Sequence, residues 1–157
     1  GRLLITLYFV ASGILEKPLL YLSAFFEKNR SLYYDNLTIT REKNDLKQWI
    51  KYFLVGIAQT AEESTRTLQK IMQLKSKVEE TIMTMGKRYS TAHTLLIDLF
   101  KNPIASIKNI QNITGLSAKA AGDLAAVFVE KGIFEEITKR QRNRIFVFQE
   151  YLKLFSS

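Results

Sequence analysis

The chain opens with an apolar run, residues 1–16, in which the only charged side chains are Arg2 and Glu16. A helix that is apolar on all of its sides is typically buried inside a fold. The run is shorter than the roughly 20 apolar residues of a transmembrane helix, and the pattern continues past the point at which a signal peptide would be cleaved. It also exceeds the usual strand length of about 4 to 8 residues. We therefore predict a buried helix that the rest of the chain packs around.

Two short helices are predicted next. Pro18 suits the first turn of a helix over residues 19–28, because its missing N–H is not needed there. Ser31 suits the N-cap of a third helix, over residues 31–37. Residues 38–43 are polar apart from Ile39, and a polar turn that includes Arg41, Asn44 and Asp45 is predicted after the third helix.

The longest helical pattern runs from Leu46 towards Met83, with Asn44 or Asp45 as its N-cap. Apolar residues are dense at its start and sparser among charges further on, which is typical of a helix that leaves one core and reaches another. Gly86 then supplies a stop.

The second half of the chain has a different pattern of apolar residues, which predicts shorter helices followed by strands. Three helices are predicted, over residues 89–101, 106–113 and 117–131. Ser90 or Thr91 would cap the first of these and Ser117 the last, with a turn at Gly115 and a left-handed C-cap at Gly132. Alternating apolar and polar residues then predict two strands, over residues 133–137 and 144–148, on either side of a polar tip. A short helix ends the chain.

This order of helices and strands predicts a winged helix-turn-helix, in which the two strands form a β-hairpin wing. The fold class is therefore mainly α with a small β wing. We place the domain boundary between residues 85 and 86, which gives a helical domain over residues 1–85 and a winged helix over residues 86–157.

The amino-acid composition limits the kinds of functional site that the chain can form. The 23 basic and 15 acidic side chains give a net charge of +8, and the chain has no cysteine and a single histidine, His93. Disulfides, thiolate nucleophiles and cysteine-ligated zinc are therefore excluded, and a reducing, cytoplasmic location is expected. One histidine cannot form a metal site alone, so we interpret His93 as an ordinary, partly buried helical residue.

The basic excess is spread over both halves of the chain, and its one dense cluster is at the tip of the predicted wing. This cluster comprises Lys139, Arg140, Arg142 and Arg144. With Lys119 at the start of the third helix of the winged helix, these side chains are candidates for contacts with DNA phosphates. That helix otherwise begins with small residues that cannot hydrogen-bond to base edges. Sequence-specific reading of DNA, weak phosphate binding and protein docking all remain open.

Several segments, taken in order, carry a resemblance to a known family. They are GRLLITL, KPLLYLSAFFEKNRSLYYDNL, a polar turn with Arg41, Asn44 and Asp45, the WIKYFL helix, and a wing that ends in KRQRNRIFVFQEYL. Their succession resembles the C-terminal part of the long bacterial Fic-domain proteins, and the resemblance covers nearly the whole chain. It implies a truncated Fic-like helical core, a long connecting helix and a C-terminal winged helix.

Fic enzymes transfer AMP from ATP to a hydroxyl group of a target protein, and the resemblance implies this activity for the intact parent, with ATP and Mg as cofactors. GRLLITL resembles the end of the Fic motif, so Arg2 would be its final arginine, which contacts the ATP γ-phosphate or an inhibitory glutamate. The catalytic His-Pro-Phe and the Gly-Asn-Gly of the motif have no counterpart in residues 1–157. We therefore predict no catalytic residue, metal ligand or cofactor in this chain alone.

The predicted role is that of a non-catalytic portion, which supports the core and supplies a regulatory or docking module. The expected partner is the target protein of the parent, with DNA at the wing as a further candidate, a homodimer as an expected assembly and no membrane association. The alternative is a DNA-binding transcriptional regulator whose N-terminal helices dimerise. A structural helical adaptor is a third interpretation.

Overall fold

The computed structural model describes residues 2–14, 22–138, 140 and 143–155; the side chains of residues 2, 3, 5 and 6 lie outside this description. The α-helices are α1 (Arg2–Ala11), α2 (Leu22–Lys28), α3 (Arg30–Lys43), α4 (Leu46–Met83), α5 (Tyr89–Leu99), α6 (Ile107–Thr114), α7 (Ala118–Glu130) and α8 (Gln149–Lys153). The strands are β1 (Ile104–Ser106), β2 (Glu135–Glu136) and β3 (Ile145–Val147). The prediction of a mainly helical fold with a small sheet is confirmed.

The chain divides into two compact units, Gly1–Leu68 and Gln69–Ser157. The division lies inside α4, so the last part of this helix belongs to the second unit.

An aromatic cluster forms the core of the first unit. Phe26 of α2 is 1% exposed, and its ring lies 5.0 Å from that of Tyr33 on α3 and 6.1 Å from that of Tyr52 on α4, measured between ring centroids. Trp49 stacks on Phe26 at 6.5 Å. Aromatic side chains bury large apolar areas, so a few of them hold α2, α3 and the start of α4 together.

The prediction that the first helix is buried is wrong. Leu4 and Tyr8 of α1 are 66% and 67% exposed, and Phe9, whose ring lies 6.4 Å from that of Phe53, is half-buried. The helix α1 is apolar on every side, but neighbouring elements cover only part of its surface, so the uncovered apolar side chains are exposed. The described side chains of α1 therefore leave a large apolar face open to solvent.

A second correction concerns residues 38–43, which continue α3 instead of forming a turn. These residues are polar apart from Ile39 and include neither proline nor glycine, and Thr40 Oγ1 donates to the carbonyl oxygen of Asn36 at 2.9 Å within the helix. The helix ends at Asn44, which adopts a left-handed conformation with φ of 51°. Asp45 then caps α4, because its Oδ1 accepts a hydrogen bond from the backbone N–H of Lys47 at 3.1 Å.

In the second unit, α5, α6 and α7 surround a core that also includes the last part of α4. Its fully buried side chains include Ile82, Leu95, Ile110, Phe128 and Phe146. The three strands form an antiparallel sheet in the order β1-β3-β2, in which Ala105 pairs with Phe146 and Glu136 pairs with the same residue from the other side.

Most of the turn and cap predictions of this unit are confirmed. Ser117 Oγ accepts a hydrogen bond from the backbone N–H of Ala120 at 3.3 Å, as expected of an N-cap. Gly115 and Gly132 take left-handed conformations, with φ of 71° and 70°. The predicted caps of α5, Ser90 and Thr91, are wrong.

The helix α5 follows directly on a 3-10 turn, Gly86–Arg88, and no side chain caps it. The turn continues into the helix and leaves no N-cap position for a serine or threonine.

Strand β1 is absent from the sequence prediction, and the two predicted strands are shorter than expected. β1 has three residues, too few to show a period, and it forms because β3 pairs with it. Next to this pair, the backbone N–H of Phe148 donates to the carbonyl oxygen of Pro103 at 2.8 Å. Strand formation here depends on a tertiary partner that a local pattern cannot reveal.

Replacing Gly122 with alanine is expected to stabilise the second unit. Gly122 lies in the interior of α7, and a Cβ atom built there meets no atom within 4 Å. Glycine disfavours a helix interior by about 1 kcal/mol relative to alanine, so the Gly122→Ala variant should gain roughly this free energy of unfolding. Urea denaturation followed by circular dichroism measures it, and a loss of stability would show that the face of α7 is not open.

Candidate functional site

The β2–β3 hairpin holds one of the predicted phosphate contacts in an internal ion pair. Arg144 Nε donates to Glu136 Oε1 at 3.0 Å, and its Nη2 donates to Glu136 Oε2 at 2.7 Å. The guanidinium also lies over the ring of Phe146, 5.0 Å from its centroid. A bidentate pair that also stacks on a ring fixes the arginine firmly. Arg144 is therefore turned towards the sheet, and its charge is neutralised within the hairpin.

Backbone contacts fix the base of the same hairpin. The N–H of Ile137 donates to the carbonyl oxygen of Ile145 at 3.1 Å, and the N–H of Ile145 donates to Thr138 Oγ1 at 3.1 Å. These bonds extend the hairpin beyond the two residues of β2, and they hold Arg144, the residue before β3, beside Glu136 of β2.

The ion pair shifts both protonation equilibria in the direction that keeps the charges. Hydrogen bonds from the Arg144 guanidinium hold the pKa of Glu136 below its usual value, and the positive charge acts in the same direction. The same hydrogen bonds raise the pKa of Arg144. Glu136 therefore stays ionised to a lower pH than an isolated glutamate.

A pH dependence follows from this shift. Since the pKa of Glu136 is lower in the folded state than in the unfolded state, the pair stabilises the second unit above the unfolded value, about 4.3 for a glutamate. The stabilisation is lost as the pH falls through the folded value. The difference in unfolding free energy between the wild type and Glu136→Gln should therefore be constant from pH 6 to 8 and shrink below about pH 4. Urea denaturation across this range measures it, and a constant difference throughout would contradict the pairing.

The other predicted contacts are distributed differently. Lys119 is exposed on the first turn of α7, and Arg140 is exposed in the connection between β2 and β3. Lys139 and Arg142 lie outside the described residues. Around Lys119 the exposed surface of α7 carries Ala118 and Asp123, so a small side chain and an acidic one accompany the basic one.

Arg2, the predicted phosphate or glutamate contact, is the first residue of α1. Its backbone therefore lies at a helix N-terminus, where the free N–H groups favour anions. Its side chain lies outside the description, so the predicted contact of the guanidinium stays a prediction.

His93 lies on α5 and is partly buried. Its Nε2 is 3.7 Å from Glu79 Oε1 of α4, and its ring lies 5.7 Å from that of Tyr89. Among the described residues, no three histidine, aspartate or glutamate side chains come close enough together to hold a metal ion.

The sequence interpretation missed a small cleft between the start of α5 and α7. The cleft is lined by Arg88, Thr91, Leu116, Ala120, Asp123 and Leu124. Arg88 and Asp123 give it one basic and one acidic side chain, and the remaining lining is mostly apolar. Ala120 and Thr91 are too small to fill the space between the helices. Small residues at these two positions are the sequence signal that could have indicated the cleft.

Comparison with known protein families gives no assignment, because no family model matches the chain. Among the helices in the described ranges, none combines the length and the apolar character that crossing a lipid bilayer requires.

Proposed function

We propose that this chain is the C-terminal, non-catalytic portion of a Fic-like protein that transfers AMP from ATP to a target protein. In this proposal residues 1–85 support the catalytic core, and residues 86–157 form a winged helix that docks a protein or regulates the enzyme. The chain resembles Fic proteins in the order of its segments, and the order of helices and strands in the second unit supports the winged-helix part.

The observation that carries the winged-helix proposal is the path of the chain through the small sheet. A helix precedes β1, two helices and the turn at Gly115 separate β1 from β2, and β2 and β3 form a hairpin in a sheet of order β1-β3-β2. A winged helix is a helix-turn-helix with such a hairpin attached.

Two observations favour docking over reading of DNA. Arg144 is neutralised by Glu136 and stacked on Phe146, so binding a phosphate would require it to leave a bidentate partner. The start of α7 exposes Ala118 and Asp123 beside Lys119, and neither an alanine nor a carboxylate contacts DNA phosphates favourably.

The exposed apolar face of α1 supports a role within a larger assembly. Exposed apolar patches often mark contacts with other proteins or domains. Leu4, Tyr8 and Phe9 line an apolar patch together with Phe53 of α4. In the Fic-like proposal this face is covered by the catalytic part of the parent.

AMP transfer tests the enzyme part of the proposal. The complete product of the gene that encodes these residues is incubated with a cell lysate, Mg²⁺ and ATP labelled on its α-phosphate, and protein-bound label is counted. We expect transfer that falls at least about tenfold in Arg2→Ala, because loss of one charge-assisted phosphate contact removes 1.5–3 kcal/mol. Arg66→Ala is the matched control, since Arg66 pairs with Glu62 of its own helix at 2.5 Å. Absence of transfer, or an equal loss in both variants, would contradict the proposal.

The second candidate function is a DNA-binding regulator, which the exposure of Lys119 and Arg140 favours. Phosphate contacts from these two side chains would weaken binding about 12-fold between 50 and 200 mM salt. Fluorescence anisotropy with a mixed-sequence duplex measures this dependence. The docking proposal expects no salt-dependent binding of the duplex, either for the wild type or for Lys119→Ala. A steep salt dependence that increases in Glu136→Gln, where Arg144 is released, would favour the regulator instead.

A further inference from the structure

The outer face of α4 in the first unit is apolar although it faces solvent. Residues 52–61 of this helix carry no charged side chain. Tyr52, Gly56 and Thr60, which repeat at every fourth position, are buried against the unit's own core. On the opposite side Leu54 is 56% exposed and Ala58 is also exposed, and Val55 on the flank is 50% exposed. A helix that is apolar on both faces is typical of a helix that is covered on both faces.

We propose that this outer face binds a second copy of the chain, with the two α4 helices antiparallel about a two-fold axis at the level of Gly56. At this level Leu54 of one copy lies beside Ala58 of the other, and the two-fold axis repeats the contact. Ala58 is exposed and small, so the large side chain has space in which to pack. A two-fold interface of this kind uses the same patch on both copies.

The charges that border the face select the antiparallel orientation. Lys51 and Glu62 stand at its two ends, and because they are eleven residues apart, about three helical turns, they lie on the same side of the helix. Glu62 also pairs with Arg66 of its own helix, but its carboxylate is exposed and has a second oxygen that can accept a hydrogen bond from a lysine of another copy. Antiparallel pairing centred near Gly56 brings Lys51 of one copy to Glu62 of the other. Parallel pairing would instead bring Lys51 to Lys51 and Glu62 to Glu62, and like charges at an interface repel.

The size of the face sets the expected strength. A standard stable interface buries about 800 Å² on each partner, and the exposed side of about three turns of one helix provides less than this. We therefore expect a weak, concentration-dependent dimer with a dissociation constant on the order of 10 μM. The pairing is independent of the Fic-like assignment, since it rests on residues 51–62 alone.

Sedimentation velocity between about 1 and 200 μM protein tests the proposal, because this range spans the expected dissociation constant. The wild type should convert from monomer to dimer, and Leu54→Asp should weaken the dimer at least about tenfold by burying an unpaired charge. Leu32→Asp is the matched control, since Leu32 is 50% exposed on α3 and lies outside the proposed face. A wild type that stays monomeric at all concentrations, or a dimer that Leu54→Asp leaves intact, overturns the proposal.

A charge exchange tests the orientation in the same experiment. Lys51→Glu should weaken the dimer, and adding Glu62→Lys together with Arg66→Glu should recover it, because the charges then exchange roles across the interface while residues 62 and 66 keep opposite charges within the helix. Each variant is checked by circular dichroism for an intact helix. A triple variant weaker than Lys51→Glu overturns the antiparallel arrangement.

Discussion

Replacing Phe26 with alanine is expected to lower the free energy of unfolding of the first unit by about 3–5 kcal/mol, the usual loss for a fully buried phenylalanine. Phe26 is 1% exposed and lies within 6.5 Å of the ring centroids of Trp49, Tyr52 and Tyr33. Its removal opens a cavity at the point where α2, α3 and α4 meet. Because small units have only about 5–15 kcal/mol of stability, this loss should unfold much of the unit at moderate temperature.

The measurement can be confined to this unit, because Trp49 is the only tryptophan of the chain and stacks on Phe26. Tryptophan fluorescence during urea denaturation follows the first unit, while circular dichroism follows the whole chain. Tyr34→Ala is the control, since Tyr34 lies on the exposed side of α3 and contacts Tyr33 only edge to face. Its loss should be about 1 kcal/mol. Equal effects of the two substitutions would mean that Phe26 does not occupy the core.

Replacing Gly56 with alanine is expected to destabilise the first unit by about 1–3 kcal/mol, as overpacking usually does. A Cβ atom at Gly56 would lie 2.6 Å from Cε1 of Phe25, far inside van der Waals contact. The helix propensity of alanine, worth about 1 kcal/mol, acts in the opposite direction and is outweighed. Trp49 fluorescence again reports the transition.

Two comparisons make this prediction sharp. Gly122→Ala replaces another helical glycine but in open space, so its effect should have the opposite sign. Combining Gly56→Ala with Phe25→Ala removes the ring that the new methyl group meets, so the double variant should lose less than the two single variants together. Strict additivity would show that the ring and the glycine are not in contact.

Much of the second unit could be predicted from local signals. Ser117, Gly115 and Gly132 specify a helix start and two helix ends through their own backbone and side-chain chemistry, and each of them acts within three or four residues. The buried face of α7 was equally readable from its period, which places Ala121, Leu124 and Phe128 inward. Strand β1 was not readable, because its three residues become a strand only through β3.

The first unit was harder to predict because the apolar pattern of α1 does not show which face of the helix is buried. The apolar residues of α1 mark a helix that needs covering, but they do not say which of its faces the rest of the chain covers. The structure leaves Leu4 and Tyr8 exposed, against the prediction of a buried helix.

The candidate site illustrates the same limit. Lys119 and Arg140 are exposed where charge alone would place them, whereas the state of Arg144 depends on a particular partner, Glu136, across the hairpin. Opposite charges on facing strands are the signal that would have indicated this pair. A count of the basic residues in the hairpin could not have indicated the pair, because a sum of charges does not show which charge is already neutralised by a partner.

The last part of α4 bears on how the C-terminal half can be isolated for study. Leu74, Val78 and Ile82 all lie in the core that α5 and α7 build, and Lys77 Nζ reaches Glu150 Oε1 of α8 at 2.8 Å. A polypeptide that begins at residue 86 would lack these three side chains. The leucine and phenylalanine side chains that they cover would then be exposed to solvent. Cutting near residue 69 keeps them, so the smallest autonomous version of this half begins well inside the long helix.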